Sequence, residues 1–330
     1  MPIAAAHIFL EDTSDDVWER VMFPTLRLDA VDHLIISPLI VDPDGSGHCI
    51  LEKEQHRGPR VHAVVKKARE EAQKAHRTVK IFGMQFWGTT ALHNLTTDTL
   101  RATYVASMPK VLAKYDLDGF DIDYEWNKGS VGNLQPWVPK FLHDIRQALD
   151  QFGKENNRHY DLAITPATPA CLHPTKLVGG WYSQFNQEAK TYPVNKSVNY
   201  VNVQTYEGGR FSAHNTIAEW TASIASGGLG FQRSQVLCGI VSEEGQESPE
   251  NRKRDVSNPA KNIDPTLEQT IQDFQNNGNP LAGIHLWRLN ANIAWSNQAQ
   301  AVLFNWLHGA NLPNTMSLNQ AKAEWNKNTA

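Results

Sequence analysis

Short apolar segments recur along the whole chain and alternate with segments of helical periodicity. The apolar segments are rich in β-branched residues and are bounded by polar residues, as buried strands are. Eight such segments occur, at Ile3–Leu10, Ala30–Ser37, Thr78–Met84, Leu117–Asp123, Tyr160–Thr165, Val198–Gln204, Gln235–Val241 and Leu281–Trp287. We expect each of them to form a strand.

Amphipathic helical patterns lie between several of these strands, with apolar residues three or four positions apart. They cover Val61–Ala75, Thr97–Tyr115, Trp137–Phe152, Thr266–Phe274 and Ala299–Leu307. Strands that alternate with helices pair in parallel through crossover connections. Eight strand–helix units in 330 residues are typical of a closed (β/α)8 barrel, the TIM barrel. An open doubly wound sheet is the alternative, but the turn after the first strand lacks the glycine-rich sequence usual in that fold.

The chain is expected to form one domain. No repeat, low-complexity tract or linker divides residues 1–330, which are expected to form a single catalytic (β/α)8 domain. Residues 310–330 are expected to form a C-terminal extension of this domain. The polar segment Glu243–Asn262 is predicted to be a surface loop. No segment approaches the roughly 18 apolar residues of a membrane-spanning helix.

Composition and charge exclude several classes of protein. Lys and Arg number 31 against 35 Asp and Glu, so no basic surface for nucleic acid is indicated. The three cysteines are too few for a disulfide framework or a zinc site, and free thiols are expected. The N-terminal segment has no basic region before its apolar residues, so it does not resemble a signal peptide. The protein is therefore expected to be cytoplasmic, secreted without a leader, or numbered from a trimmed form.

One acidic cluster lies in the fourth predicted strand. Five acids fall within the ten residues 116–125. Alternate residues of a strand share a face, so Asp121, Asp123 and Glu125 are predicted to point the same way, with Ile122 and Tyr124 toward the helices. Carboxylates this close raise one another's pKa. Because Glu125 falls at the C-terminal end of the strand, where barrel enzymes hold their chemistry, we expect it to be a general acid.

Two other interpretations of this cluster are a solvated acidic turn and a calcium loop. A solvated turn would not interleave Phe120, Ile122 and Tyr124 with a period of two. A calcium loop that began at Asp116 would place its oxygen ligands and its glycine at the wrong positions. The sequence therefore favours the catalytic interpretation.

The segment Asp118–Glu125, with the sequence DGFDIDYE, resembles the DxxDxDxE signature of glycoside hydrolase family 18. This family contains chitinases and endo-β-N-acetylglucosaminidases, and its members are TIM barrels with this motif on the fourth strand. The resemblance implies that Glu125 donates a proton to the glycosidic oxygen and that Asp123 orients the 2-acetamido group. It also implies that Asp121 shares a proton with Asp123, that Asp118 is structural, and that no metal or other cofactor is needed.

A second segment, Val203–Glu207, resembles the Gln-x-Tyr-Asn stretch of compact members of the family, although Glu207 replaces the last residue. The resemblance implies that Tyr206 bonds the acetamido carbonyl and that Gln204 lines the −1 subsite. It also implies that Trp287 forms the floor beneath the −1 sugar. The SxGG motif of the third strand is missing, and the short interval between the last two strands leaves little room for the insertion domain of many chitinases.

Three further residues are candidate substrate contacts: Gln85, Trp87 and Trp126. Gln85 and Trp87 lie in the stretch that stands in place of the SxGG motif. The aromatic faces of Trp87 and Trp126 suit the apolar faces of sugar rings.

The resemblance implies a substrate-assisted, retaining mechanism, in which the acetamido oxygen attacks the anomeric carbon and forms an oxazolinium ion. Three functions fit it. The first is a chitinase that cuts β-1,4 bonds of chitin or chito-oligosaccharides, and the second is an endo-β-N-acetylglucosaminidase that acts on the chitobiose core of N-glycans. The third is a non-catalytic lectin or inhibitor, a class that usually lacks the terminal Glu. The expected partner is an N-acetylglucosamine-containing oligo- or polysaccharide or N-glycoprotein, bound by a monomer.

Overall fold

A computed structural model of the protein describes residues 2–10, 14–26, 28–29, 31–86, 92–124, 136–166, 187–204, 229–241 and 278–289. The described strands are β1 (Ile3–Phe9), β2 (His33–Val41), β3 (Cys49–Leu51), β4 (Lys80–Gln85), β5 (Gly119–Tyr124), β6 (Asp161–Pro166), β7 (Tyr200–Val203), β8 (Val236–Val241) and β9 (Gly283–Trp287). All of them belong to one sheet.

Eight of these strands form a closed parallel barrel. The order around it is β1, β2, β4, β5, β6, β7, β8 and β9, and β9 pairs in parallel with β1 to close the ring. Each barrel strand overlaps one of the eight predicted segments, so the predicted TIM barrel is confirmed. The short β3, which was not predicted, pairs antiparallel with the end of β2.

The described helices surround the barrel. The short ones are α1 (Asp15–Val17), a π-helical turn (Trp18–Met22), α2 (Phe23–Thr25), α6 (residues 187–191) and α7 (Val194–Ser197), and two 3-10 turns cover Leu92–Asn94 and Arg233–Gln235. The long ones are α3 (Glu54–Lys74), α4 (Asp98–Tyr115) and α5 (Val138–Asn156). None of the described helices is long and apolar enough to cross a membrane.

Helix α3 begins before its predicted start at Val61. Its additional residues include Pro59, which lies inside the helix. The early turns are fixed by two buried arginines: Arg57 pairs with Glu52, and Arg60 pairs with Asp15 of α1. The predicted helices Thr266–Phe274 and Ala299–Leu307, the predicted loop Glu243–Asn262 and residues 310–330 lie outside the described residues.

The main core lies between the barrel and its helices. On β5, Phe120, Ile122 and Tyr124 are buried in this layer, and the Phe120 ring lies 6.3 Å from the ring of Tyr104 on α4. The Tyr104 ring lies in turn 5.8 Å from Phe141 of α5. Because residues alternate along a strand, this packing directs Gly119, Asp121 and Asp123 into the barrel.

Candidate active site

The inward direction of Asp121 and Asp123 is fixed by the register of β5. Asp121 lies opposite Met84 of β4 and Ala163 of β6, and Asp123 lies opposite Thr165 of β6. Met84 and Ala163 belong to the apolar cluster inside the barrel. Asp121 is fully buried, and Asp123 is 5% exposed. The two acids therefore stack in the barrel, with Asp123 closer to the C-terminal end of the strands.

Asp121 is held by neutral donors. The Thr165 hydroxyl donates to Asp121 Oδ2 at 2.8 Å, and Asn202 Nδ2 lies 3.4 Å from Asp121 Oδ1, a long contact. Burial raises the pKa of Asp121 to about 7, although these two donors and the backbone amide of Ile122 act in the opposite direction. Near neutral pH this carboxyl can therefore either hold or release a proton.

Asp123 is bonded to the end of β7. Gln204 Nε2 donates to Asp123 Oδ1 at 3.2 Å, although the two residues are 81 positions apart in the chain. Both side chains are buried. The segments that carry Asp123 and Gln204 thus meet at the C-terminal end of the barrel.

Trp287, at the end of β9, forms an aromatic wall at this end. It lies opposite Val241 of β8, and its ring centroid is 5.3 Å from that of His7 and 6.3 Å from that of Phe9. It also packs against the apolar cluster that includes Met84. The residue as a whole is only partly buried.

A buried histidine pair beneath Trp287 was not predicted. His285 Nε2 lies 2.9 Å from the carbonyl oxygen of Val203, and His7 Nε2 lies 3.2 Å from His285 Nδ1. Burial lowers the pKa of His285 to about 4 and that of His7 well below its usual value, so both rings are neutral. His285 must then donate to the carbonyl and accept from His7. In the sequence, His285 precedes Trp287 by two positions, so the two side chains share a face of β9. No local pattern connects His285 with His7, which lies 278 positions away.

Gln85 faces the other side of its strand. It lies opposite Ile122, which is directed toward the helices, and its amide oxygen accepts a hydrogen bond from the Tyr104 hydroxyl on α4. Its amide nitrogen donates to the carbonyl oxygen of Phe86 at 3.1 Å. The neighbouring Met84 occupies the inward position instead. Gln85 is thus not brought together with the acids, and its predicted substrate contact has no place in the site.

Asp118 lies at the opposite end of the barrel from Trp287. Its carboxylate accepts hydrogen bonds from the Ile81 amide at 2.7 Å, from Arg69 at 2.7 Å and from Arg158. It therefore joins β4, α3 and the connection between α5 and β6.

The remaining predicted site residues are Glu125, Trp126, Trp87, Tyr206 and Glu207. They lie outside the described residues, so their roles stay predictions. Within the described part of the chain, no group of three or more His, Cys, Asp or Glu side chains is arranged to hold a metal ion.

Comparisons with known proteins bear on the family of this chain. A model of the glycosyl hydrolases family 18 matches residues 11–253, well over half of the chain. Endochitinase 37 of Trichoderma harzianum is 24% identical over 131 residues, which are 39% of this chain and 38% of that enzyme. The match thus spans well under two thirds of that relative.

Solved structures share the fold. A chitinase from Bacteroides thetaiotaomicron superposes with a TM-score of 0.63 at 17% identity, over 96% of this chain and 100% of the other. A GH18 chitinase from Cycas revoluta in complex with (GlcNAc)4 gives a TM-score of 0.65 at 13% identity, over 90% and 98% of the two chains. A family 18 N-acetylglucosaminidase from Paenibacillus barengoltzii gives a TM-score of 0.59 at 13% identity, over 93% and 100%. At these identities the structures support the barrel, and the match of the family model to residues 11–253 shows that the chain belongs to family 18 of the glycosyl hydrolases.

Proposed function

We propose that this protein is a retaining endo-glycosidase that hydrolyses β-1,4 bonds of chitin or chito-oligosaccharides by substrate-assisted catalysis. The observation that carries the proposal is the inward pair Asp121 and Asp123, with Asp123 bonded to Gln204 at 3.2 Å at the end of the barrel where Trp287 lies. This arrangement provides carboxylates, an amide and an aromatic wall in one place, as an N-acetylated sugar requires.

In the first step, the acetamido oxygen of the −1 sugar attacks the anomeric carbon. The bond from that carbon to the glycosidic oxygen breaks, its electron pair goes to the leaving oxygen, and Glu125 supplies the proton. Asp123 and Tyr206 stabilise the oxazolinium ion that forms. Water then attacks the anomeric carbon, Glu125 takes its proton, and the bond to the acetamido oxygen opens with net retention of configuration.

Asp121 supports this step through Asp123. A carboxyl with a pKa of about 7 can share its proton with a neighbour at neutral pH. When Asp123 gives the shared proton back to Asp121, the negative charge on Asp123 increases. This increase coincides with the formation of the positively charged oxazolinium ion. Trp287 offers its aromatic face to the apolar face of the −1 sugar.

The proposal is tested by turnover of two substrates, chito-oligosaccharides and a high-mannose glycoprotein. We expect the oligosaccharides to be cut, with the β-anomer as the first product in proton NMR. Glu125→Gln keeps the shape of the side chain but removes the transferable proton, so turnover should fall by roughly 10²-fold or more. The matched control is Glu155→Gln on the exposed face of α5, which should retain turnover.

Each other result selects another function or mechanism. Cleavage of the glycoprotein alone would identify an endo-β-N-acetylglucosaminidase that acts on the N-glycan core. Binding of the oligosaccharides without turnover would identify a lectin or inhibitor. An α-anomer as the first product would rule out substrate assistance, and normal turnover in Glu125→Gln would remove Glu125 from its role.

A further inference from the structure

The partners of Asp121 lie on the two strands that follow it around the barrel. Thr165, on β6, lies opposite Asp123 in the register, yet its hydroxyl donates to Asp121 Oδ2 at 2.8 Å, one level below. Asn202, on β7, has its amide nitrogen 3.4 Å from both Asp121 Oδ1 and Thr165 Oγ1. The three side chains thus form a closed triangle, and Thr165 stands between the levels of the two acids.

All three side chains are buried: Asp121 is 0% exposed, and Thr165 and Asn202 are each 2% exposed. Bulk water therefore contributes little to the solvation of the Asp121 carboxylate, and the protein groups around it, including the backbone amide of Ile122, must do so instead. Among the described residues, the side chains that hydrogen-bond Asp121 are these two, and both are neutral.

Other titratable groups face the barrel interior from the surrounding strands. Among the described strand residues they are Asp123 on β5, Lys80 on β4, Asp161 on β6, Tyr200 on β7, His33 on β2, His7 on β1 and His285 on β9. The only cation among them at neutral pH is Lys80, and its ammonium group bonds Asp161 at 2.6 Å. Burial lowers the pKa of His33 and of His285 to about 4, so these rings are neutral.

We propose that Thr165 and Asn202 are a positioning pair that holds Asp121 in both of its protonation states, so that its proton can pass to Asp123 and return during the reaction. The transfer to Asp123 rests on the proposed function, whereas the two hydrogen bonds to Asp121 do not.

The chemistry of the pair suits both states. When Asp121 is ionised, the Thr165 hydroxyl and the Asn202 amide donate to its two oxygens. When Asp121 is protonated, its O–H can donate to Thr165 Oγ1, because a hydroxyl is both donor and acceptor. A cation in place of this pair would hold Asp121 ionised, and an apolar pair would hold it protonated. Only the proton moves: the O–H bond of Asp121 breaks, that of Asp123 forms, and no other reactant is needed.

The test removes the donor without changing the shape of the side chain. Thr165→Val should raise the midpoint of the Asp121 titration by about one pH unit or more, since hydrogen bonds to charged groups are strong. The titration is followed by carboxyl-carbon NMR on protein labelled at Asp, with Asp121→Asn to assign the signal. Thr165→Ser is the matched variant, because it keeps the hydroxyl and should keep the titration.

Kinetics provide the second measurement. In Thr165→Val the alkaline limb of the pH–rate profile should move in the direction of the titration, and kcat should fall roughly tenfold. KM should change little, because Thr165 is proposed to act through Asp121 and not on the sugar. A change confined to thermal stability, with an unchanged profile, is what a merely structural Thr165 would give, and it would overturn the proton-transfer role.

Equal Asp121 titrations in Thr165→Val and Thr165→Ser would overturn the positioning pair, whatever the activity. If Thr165→Val does not fold, Thr165→Ala removes the same hydroxyl with less bulk and is held to the same criterion. A shifted titration in a protein that hydrolyses neither substrate would overturn the proposed function and support the hydrogen-bond part of this inference. The two failures are therefore distinguishable.

Discussion

At the scale of single residues, two neighbouring aspartates show how burial affects the contribution of an ion pair to the free energy of unfolding. Asp116 and Asp118 engage the same two arginines, Arg69 and Arg158. The side chain of Asp118 is 16% exposed and that of Asp116 is 63% exposed. Asp118 also accepts a hydrogen bond from the Ile81 amide at 2.7 Å. The two acids should therefore differ in their contribution to stability.

We predict that Asp118→Asn lowers the free energy of unfolding by roughly 1.5–3 kcal/mol, because the largely buried carboxylate accepts hydrogen bonds from the Ile81 amide and from both arginines, and hydrogen bonds to charged groups are strong. The matched Asp116→Asn should cost less than about 1 kcal/mol, as exposed pairs do. Asn also tolerates the left-handed conformation at position 116, where φ is 52°. Denaturant unfolding of both variants measures the difference. Equal losses would contradict the ranking by burial.

Residue-level prediction from the sequence succeeded where polar and apolar residues alternate. On β5 the acids alternate with Phe120 and Ile122, so their common face was evident. On β4 the residues around Gln85 are apolar on both faces, as barrel strands buried on both sides are. That sequence has no feature that distinguishes Met84 from Gln85, and only the register with β5 placed Gln85 on the outer face. Thr165 and Asn202 are single polar residues in apolar strands, and their bonds to Asp121 required the fold.

At the scale of elements, β5 depends on close approach to its neighbours. Gly119, its first residue, faces the interior, where a Cβ atom would lie 2.6 Å from the carbonyl oxygen of Asp161 and 2.7 Å from the ring of Phe82. Both neighbours belong to the adjacent strands β6 and β4. A side chain at this position must therefore displace the strand that carries Asp121 and Asp123.

Gly119→Ala is expected to destabilise the protein by roughly 1–3 kcal/mol, as overpacking of a core does. Gly278→Ala is the control, since no described atom lies within 4 Å of its Cβ position, and it should change stability by less than about 0.5 kcal/mol. Thermal unfolding of the two variants makes the comparison. Similar melting temperatures would show that β5 can shift without strain.

The elements themselves followed from the sequence because each apolar segment is separated from the next by polar residues or a helical pattern. The exceptions have local reasons. β3 has three residues, too few for any periodicity, and it exists because the end of β2 extends beyond the barrel. The first turns of α3 contain Gly58 and Pro59, and they carry the ion pairs of Arg57 with Glu52 and of Arg60 with Asp15, two partners that lie outside the apolar pattern of the helix.

At the scale of the whole molecule, buried neutral histidines set the acid side of the stability profile. The folded pKa values of His33 and His285 are about 4, and burial holds that of His7 well below its usual value. An unfolded histidine titrates near 6.5. Between pH 6.5 and 4 the unfolded state thus binds more protons, so the free energy of unfolding falls as the pH falls. Asp121 acts in the opposite direction, because its pKa is raised on folding to about 7.

We predict a net loss of stability from pH 6.5 down to 4, with each of His33 and His285 contributing up to roughly 3 kcal/mol. His33→Phe keeps the ring contacts with Tyr200 and Phe82 and removes one titrating group. Its stability should depend less steeply on pH in this range. Denaturant unfolding at several pH values is the measurement, and an unchanged slope would show that His33 does not titrate on unfolding.

The pairing of β1 with β9 has a consequence for how the protein folds. β1 has β2 on one side and β9 on the other, and the His7–His285 contact inside this seam joins residues 278 positions apart. Closing so large a loop delays the contact relative to the local strand–helix units. During synthesis, the edge of β1 that will face β9 remains unpaired until the last barrel strand has emerged. Such an open edge is where a partly folded barrel would pair with another chain, so closure competes with aggregation.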